Sequence, residues 1–235
     1  MTTTNTTTFN LDLNNLVEEA FERCGAELRS GYDMRTARRS LNLLTIEWAN
    51  RGINLWTVDQ GTIALTPGTI SYNLPVDTID LLDHVVRTGT GQNQNDVNIT
   101  RISSSTYSTI PNKNAQGRPI QVWVDRQSGA TEPSGVAYPT INVWPAPDQR
   151  SYYTFVYWRL RRIQDVGNGV NTQDIPFRFL PCLVAGLAYY LSLKLPDALA
   201  RSEVLKAAYE EQWNFASTED REKASLRLAP REMFY

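Results

Sequence analysis

A single histidine limits the chemistry open to this chain. His84 stands between Asp83 and Val85, with no cysteine or second histidine near it in sequence, so it does not complete a metal site of usual ligand number. Ser–His or Cys–His nucleophile pairs would all need this one residue, and no Gly-x-Ser-x-Gly elbow presents a serine. Gly89 and Gly91 lie in a polar stretch with no Lys-Ser/Thr and no following helix, which excludes a phosphate loop. Glu18-Glu19, Glu210-Glu211 and Glu219-Asp220 read as solvated helix faces rather than as paired carboxylates for glycoside chemistry. Cys24 and Cys182 both sit among apolar helical residues and read as reduced core thiols. No catalytic residue, cofactor or metal ligand is expected.

Three groups of residues point instead to binding. Tyr152 to Arg162 interleaves aromatics with Arg159, Arg161 and Arg162, a pattern that can stack single-stranded nucleic acid. The favoured reading is a two-sided strand running into a basic loop, with Tyr157, Trp158 and Arg159 as subunit-interface candidates. Arg35, Arg38 and Arg39 cluster on one helix, where a carboxylate of a neighbouring subunit is the expected partner. The third group closes the chain. After the charged run from Ser217, residues Leu226, Leu228, Pro230, Arg231, Met233, Phe234 and Tyr235 form an apolar anchor behind a spacer. Each such side chain, once buried, contributes roughly 1.5–3 kcal/mol, and linked copies engaging one ring add strongly.

The composition agrees with assembly rather than a grip on nucleic acid. The chain has 235 residues, 41% hydrophobic, with 23 basic against 25 acidic side chains and a net charge of −2. That balance opposes sequence-independent phosphate binding. The opening MTTTNTTTFN reads as a polar arm with no leader. The most apolar run, Phe179 to Leu193, is shorter than the roughly 20 residues of a membrane span. No membrane association is expected.

Two helical regions must hold these groups. The first helix runs from about Asp12 to Cys24 and stops at Gly25. The second begins with Asp33 as N-cap, carries Ala37, Leu41, Leu44 and Trp48 on one face, and ends at Arg51-Gly52 with glycine in the left-handed conformation. From Leu55 to about Ile163 the period becomes that of strands. Residues 88–98 and 128–134 read as exposed loops. Strands are expected over Leu81–Arg87, Ile120–Val124, Val136–Trp144 and Tyr152–Leu160, the last covered on both faces. A third helix, about Phe177 to Lys194, is apolar all round and so should be central in its bundle. Asp197 caps the fourth, whose stripe is Val204, Leu205, Ala208, Tyr209 and Trp213. The expected class is α+β: an antiparallel helical bundle formed by N- and C-terminal helices, with an inserted β-rich domain and an extended C-terminal tail. The divisions are a flexible arm 1–10, bundle segments 11–54 and 177–217, a β-domain 55–176 and a tail 218–235.

Several runs taken together resemble a known family. Ala20-Phe-Glu-Arg-Cys-Gly25, Ser30-Gly-Tyr-Asp33, Glu47-Trp-Ala-Asn-Arg-Gly-Ile-Asn-Leu-Trp56, Thr66-Pro-Gly68, Gly117-Arg-Pro-Ile-Gln-Val-Trp123, Trp144-Pro-Ala-Pro147, Tyr157-Trp-Arg159 and Pro181-Cys-Leu-Val-Ala-Gly-Leu-Ala188 are similar to the head-to-tail adaptors of tailed bacteriophages, the tail accessory factor or tail tubular group. The resemblance implies a non-enzymatic virion protein at the head-tail junction, assembled in the host cytoplasm. It implies a homo-oligomeric ring of twelve below the portal protein, with the C-terminal segment reaching the portal, a tail or nozzle protein on the lower face, and double-stranded DNA passing through the lumen. Two rivals stand beside it: a virion-associated peptidoglycan-degrading enzyme, and a carbohydrate- or nucleic-acid-binding module using Trp123, Trp144 and Trp158.

Overall fold

The structure, a computed structural model, describes residues 3–52, 55–126, 131–132, 135–136, 138–167 and 170–221. They form two compact units, one drawn from within Met1–Leu55 and Gln164–Tyr235, the other from Trp56–Ile163. The helices are α1 (Leu13–Cys24), α2 (Gly31–Arg51), α3 (Ser104–Ser108, in the second unit), α4 (Leu180–Ser192) and α5 (Ser202–Glu219). The chain is of mixed α+β class.

In the first unit α1 follows its apolar spacing: Leu13, Leu16, Val17, Ala20, Phe21 and Cys24 are all buried. Asp12 caps it by accepting the Asn15 N–H at 2.8 Å, and Gly25, at φ 76°, ends it. The start of α2 differs from expectation. Its N-cap is Ser30, whose hydroxyl accepts the Asp33 N–H, while the Asp33 carboxylate reaches back to the Ser30 N–H at 3.1 Å. Asp33 is therefore the third helical residue of a capping box. Gly52 does end the helix, but at φ 154° and ψ −168°, outside the left-handed helical region.

Helix α4 packs against α1, α2 and α5, which explains the absence of a polar face. It is preceded by a 3-10 turn, Phe177–Phe179, and ends at Ser192, two residues before Lys194. Asp197 caps nothing; it lies in a 3-10 turn, Pro196–Arg201, that leads into α5. The buried line of α5 is rotated from the expected stripe. Tyr209, Ala216 and the following Asp220 are buried, Leu205 and Trp213 are half-buried, and Val204 and Ala208 are exposed. Residues 164–167 and 170–176 belong with the helices: Val166 N–H donates to the Asn42 side chain at 2.9 Å and Leu13 N–H to the Asn171 carbonyl at 3.2 Å. The β-unit thus ends at Ile163 rather than near residue 176.

A polar clasp joins three of these helices. Arg51 Nε donates to Glu47 Oε1, one turn earlier on α2, at 2.8 Å. Its two terminal nitrogens donate to both oxygens of Glu210 on α5, at 2.9 and 2.8 Å. Glu47 also accepts the Tyr190 hydroxyl from α4 at 2.7 Å and the Tyr209 hydroxyl from α5 at 3.3 Å. The Tyr209 oxygen accepts the Trp48 indole N–H at 2.9 Å. The guanidinium lies 4.9 Å from the Tyr209 and Trp213 ring centroids, and Trp48, Phe179 and Trp213 pack together with centroids 5.3–5.9 Å apart. Burial, with the bond to Glu47, pushes the Tyr190 hydroxyl up to about 12. The Arg51 hydrogen bond holds Glu210 below its usual 4.5.

The second unit contains β1 (Val58–Leu65), β2 (Ser71–Asn73), β3 (Thr78–Thr88), β4 (Asn95–Asn98), β5 (Thr100–Arg101), β6 (Gln116–Gly117), β7 (Gln121–Asp125), β8 (Thr131–Glu132), β9 (Gly135–Val136), β10 (Thr140–Trp144), β11 (Ala146–Pro147) and β12 (Tyr153–Arg161). Two four-stranded sheets run β1-β12-β3-β4 and β2-β10-β7-β5. Leu81, Val86 and Phe155 from the first sheet and Val122, Val124, Ile141 and Val143 from the second meet in one core, as alternation on half-buried strands requires. Ile120, expected to share that face, precedes β7 and is exposed. Residues 88–98 are not simply a loop: β4 returns along β3, pinned by Arg87–Asp96 at 2.7 Å, around a short turn at Gly91–Asn93. The expected strand Val136–Trp144 is divided, Val136 closing β9 and β10 beginning at Thr140; within the expected loop 128–134, Thr131–Glu132 form β8 and residues 128–130 and 133–134 lie outside the described residues.

Strand β12 is central in its sheet and buried on both faces at Phe155 and Val156, while Tyr152 lies before it and is exposed. The Tyr157 ring lies over Gly61 of β1, its cross-strand partner, where an added Cβ would fall 2.4 Å from the ring. Only glycine fits there.

His84 of β3 stacks on Phe155 at 5.8 Å. It is buried, and neither ring nitrogen has a partner at full hydrogen-bond geometry among the described residues. Burial lowers its pKa below 6.5; Asp83 and a backbone contact at Ile99 oppose this, and Arg101 reinforces it.

Replacing Arg51 by Met leaves Glu47 and Glu210 without their cation and should cost about 2–4 kcal/mol in urea unfolding; Tyr209→Phe should cost about 1–3 kcal/mol. Because Glu210 is depressed in the folded state, the clasp contributes fully above 4.5 and is lost as pH falls through the depressed value. Acid unfolding of Arg51→Met should therefore depend less on pH in that range, and an unchanged profile would refute the clasp. For His84, an imidazole kept neutral by the fold means the unfolded chain binds the extra proton. Stability should fall as pH drops below 6.5, and His84→Phe should flatten that slope.

Candidate assembly surfaces

The residues with reactive potential are dispersed and interior. His84 lies in the β-unit; Cys24 and Cys182 are free and buried in the helical unit. Burial pushes the Cys24 thiol up to about 11 and the Cys182 thiol to about 12, and the Cys24 thiol donates to the Ala188 carbonyl at 3.2 Å. Such thiols are poor nucleophiles. Among the described residues no three His, Cys, Asp or Glu side chains gather as metal ligands, and no described helix is long and apolar enough to cross a membrane.

The features that reach solvent are of another kind. With Tyr32, Arg35, Arg38 and Arg39 line a depression of about 450 Å³ on α2. The Arg35 guanidinium sits 5.9 Å from the Tyr32 ring centroid. Burial, with the Arg39 charge, lowers the pKa of Lys194, whose ammonium donates to Ser40 Oγ at 2.6 Å. One and two turns further along the same face come Leu43 and Ile46, 55% and 47% exposed. Helix α5 exposes two large apolar side chains about three turns apart, Val204 at 72% and Phe215 at 63%. Single exposed apolar residues are ordinary; rows of them on helices that bury their other face are not.

The expected interface residues of β12 have different surroundings. Tyr157 is part of the β-unit core. Arg159 donates to Asp77 at 2.5 Å and to Thr78 Oγ1 at 3.0 Å, with Asp59 at 3.4 Å. Arg161 also meets Asp59, at 3.1 Å. Burial works against the Asp77 carboxylate, but the Arg159 hydrogen bond and charge outweigh it and hold the carboxyl low. Trp158 is half-buried. These arginines are thus balanced inside the unit.

The root of the C-terminal segment is fixed. The Asp220 side chain is 3% exposed; it pairs with Arg178, just before α4, and accepts the Leu55 N–H at 3.0 Å. Leu226, Leu228, Pro230, Arg231, Met233, Phe234 and Tyr235 lie outside the described residues. Glu210 and Asp220 read as surface charge in the sequence but are paired in the structure. Their signal was positional: Glu210 adjoins the buried Tyr209, and Asp220 lies one turn past Ala216 on the buried line of α5.

Comparison with protein families matches residues 12–231, nearly the whole chain, to the SU10 adaptor protein family. Comparison with curated proteins finds no match. The match starts at the cap of α1, spans both units and extends into the C-terminal segment. The chain therefore belongs to the SU10 adaptor protein family, a family of phage head-to-tail adaptors.

Proposed function

We propose that this protein is a structural, non-enzymatic component of the phage virion that forms a ring below the portal, extends its DNA channel and provides the attachment platform for the tail or nozzle. The family assignment carries the reading; the adjacent exposed Leu43 and Ile46 of α2, with Val204 and Phe215 of α5, support it as apolar side chains open to contact. The helices around α4 act as an antiparallel bundle that is the rigid body of each subunit. Lateral contacts form through Arg35, Arg38 and Arg39 against carboxylates of the next copy, flanked by Leu43 and Ile46, with Trp158 as the contribution of the β-unit. Tyr157 and Arg159 support that strand from within. A heterologous contact of this kind closes into a ring, here of twelve copies.

The near-neutral charge suits a channel wall past which DNA must slide, since a dense array of lysines and arginines would retain phosphates. The C-terminal residues Leu226, Leu228, Pro230, Arg231, Met233, Phe234 and Tyr235 reach the portal. Assembly takes place in the host cytoplasm, and the mature location is the head-tail junction. No cofactor, metal or membrane takes part.

Deleting Pro230–Tyr235 should leave a folded protein with unchanged circular dichroism that no longer co-sediments with portal rings. Truncated protein that pellets with portal as well as the full chain does would overturn the assignment of the tail.

A further inference from the structure

A groove of about 430 Å³ runs between α1 and α4. Leu180 and Val184 of α4 form its buried base, Phe9, Leu11 and Pro181 extend the apolar wall, and Glu18 and Glu22 of α1 stand exposed along its edge, beside Glu19 and Arg23, which pair with each other at 2.9 Å. Apolar below and acidic at the rim, it fits an extended peptide that alternates aliphatic and cationic side chains. The chain contains such a peptide. Leu226-Arg-Leu-Ala-Pro-Arg231 places Leu226 and Leu228 beside Arg227 and Arg231, so aliphatic groups can enter the base while guanidinium groups meet carboxylates.

The origin of that segment is favourable as well. Asp220 is paired with Arg178, two residues before Leu180 in the base of the groove. From Asp220, six residues of extended chain cover roughly 20 Å, enough to bring Leu226 along a groove that begins at the same end of α4. We propose that residues 226–231 occupy the α1–α4 groove of their own chain before assembly, so that the segment is held until a partner displaces it. This contact does not depend on the portal reading; only the identity of the displacing partner does.

The test uses a truncated chain ending at Arg221 and a synthetic peptide of residues 222–235, with no portal protein present, so the portal reading can fail without affecting it. Binding is followed by the anisotropy of a dye on the peptide. Saturable binding to the truncated chain is expected, much weaker binding to the full-length chain whose groove is filled, and weakening by added salt. Glu18→Arg with Glu22→Arg, both exposed positions, should weaken binding roughly tenfold, and peptide carrying Arg227→Glu and Arg231→Glu should recover affinity for that variant. Glu203→Arg on α5 is the control and should change nothing. Absence of saturable binding, or binding indifferent to the groove charges, overturns the proposal. So does full-length protein that dimerises with concentration through the segment, because the groove would then be filled by a second copy.

Discussion

The Glu47 carboxylate is the point on which the helical unit depends. It receives Arg51 from its own helix, Tyr190 from α4 and Tyr209 from α5, while Arg51 carries the connection on to Glu210. Half-buried ions are costly unless every lone pair and N–H is used, and such satisfaction exists for only one relative placement of the three helices. The aromatic rings of Trp48, Phe179 and Trp213 supply apolar burial around the clasp, which is non-directional. The polar network turns that burial into a defined arrangement. In the proposed ring, a subunit presenting the same face to identical neighbours would need such definition more than maximal stability.

The β-unit solves a related problem. Its two sheets share a conventional apolar core, and the arginines of β12 are neutralised locally by Asp59 and Asp77. Cationic charge that looks available in the sequence is therefore largely spent within the fold. The exposed surface left for contact lies on the helical unit: Leu43 and Ile46 of α2, Val204 and Phe215 of α5 and the acid-edged groove beside α1. Membership in the phage adaptor family is consistent with such surfaces, since the proposed ring would give each subunit two different sides to cover.

Much of this was legible from residue spacing. The rhythm of α1, its stop at Gly25 and the all-apolar α4 follow from local physics that tertiary contacts reinforce. Order and spacing of short runs such as Glu47 to Trp56 carried the family. What escaped depended on partners distant in sequence. Asp33 is as good a cap as Ser30 on residue type, and only the start of the helix decides between them. The stripe on α5 was misplaced because Val204 and Ala208 fit an amphipathic pattern as well as Leu205 and Ala216 do, and periodicity alone cannot say which side meets α4. Glu210 and Asp220 read as solvated charge from sequence alone because Arg51 and Arg178, which neutralise them, lie far away along the chain. The return of β4 was hidden by a composition of asparagine and aspartate poor in strand formers, held by the Arg87–Asp96 pair across the ladder.

If the surplus surface of this subunit exists for copies of itself and a larger viral ring, the mass of the protein should depend on what accompanies it. Analytical ultracentrifugation of the purified full-length protein, alone and with assembled portal, measures this directly. The account predicts a monomer that adds to the portal in a fixed, saturating, ring-like stoichiometry. A protein that remains monomeric beside an intact portal, with no complex at any ratio, would contradict it.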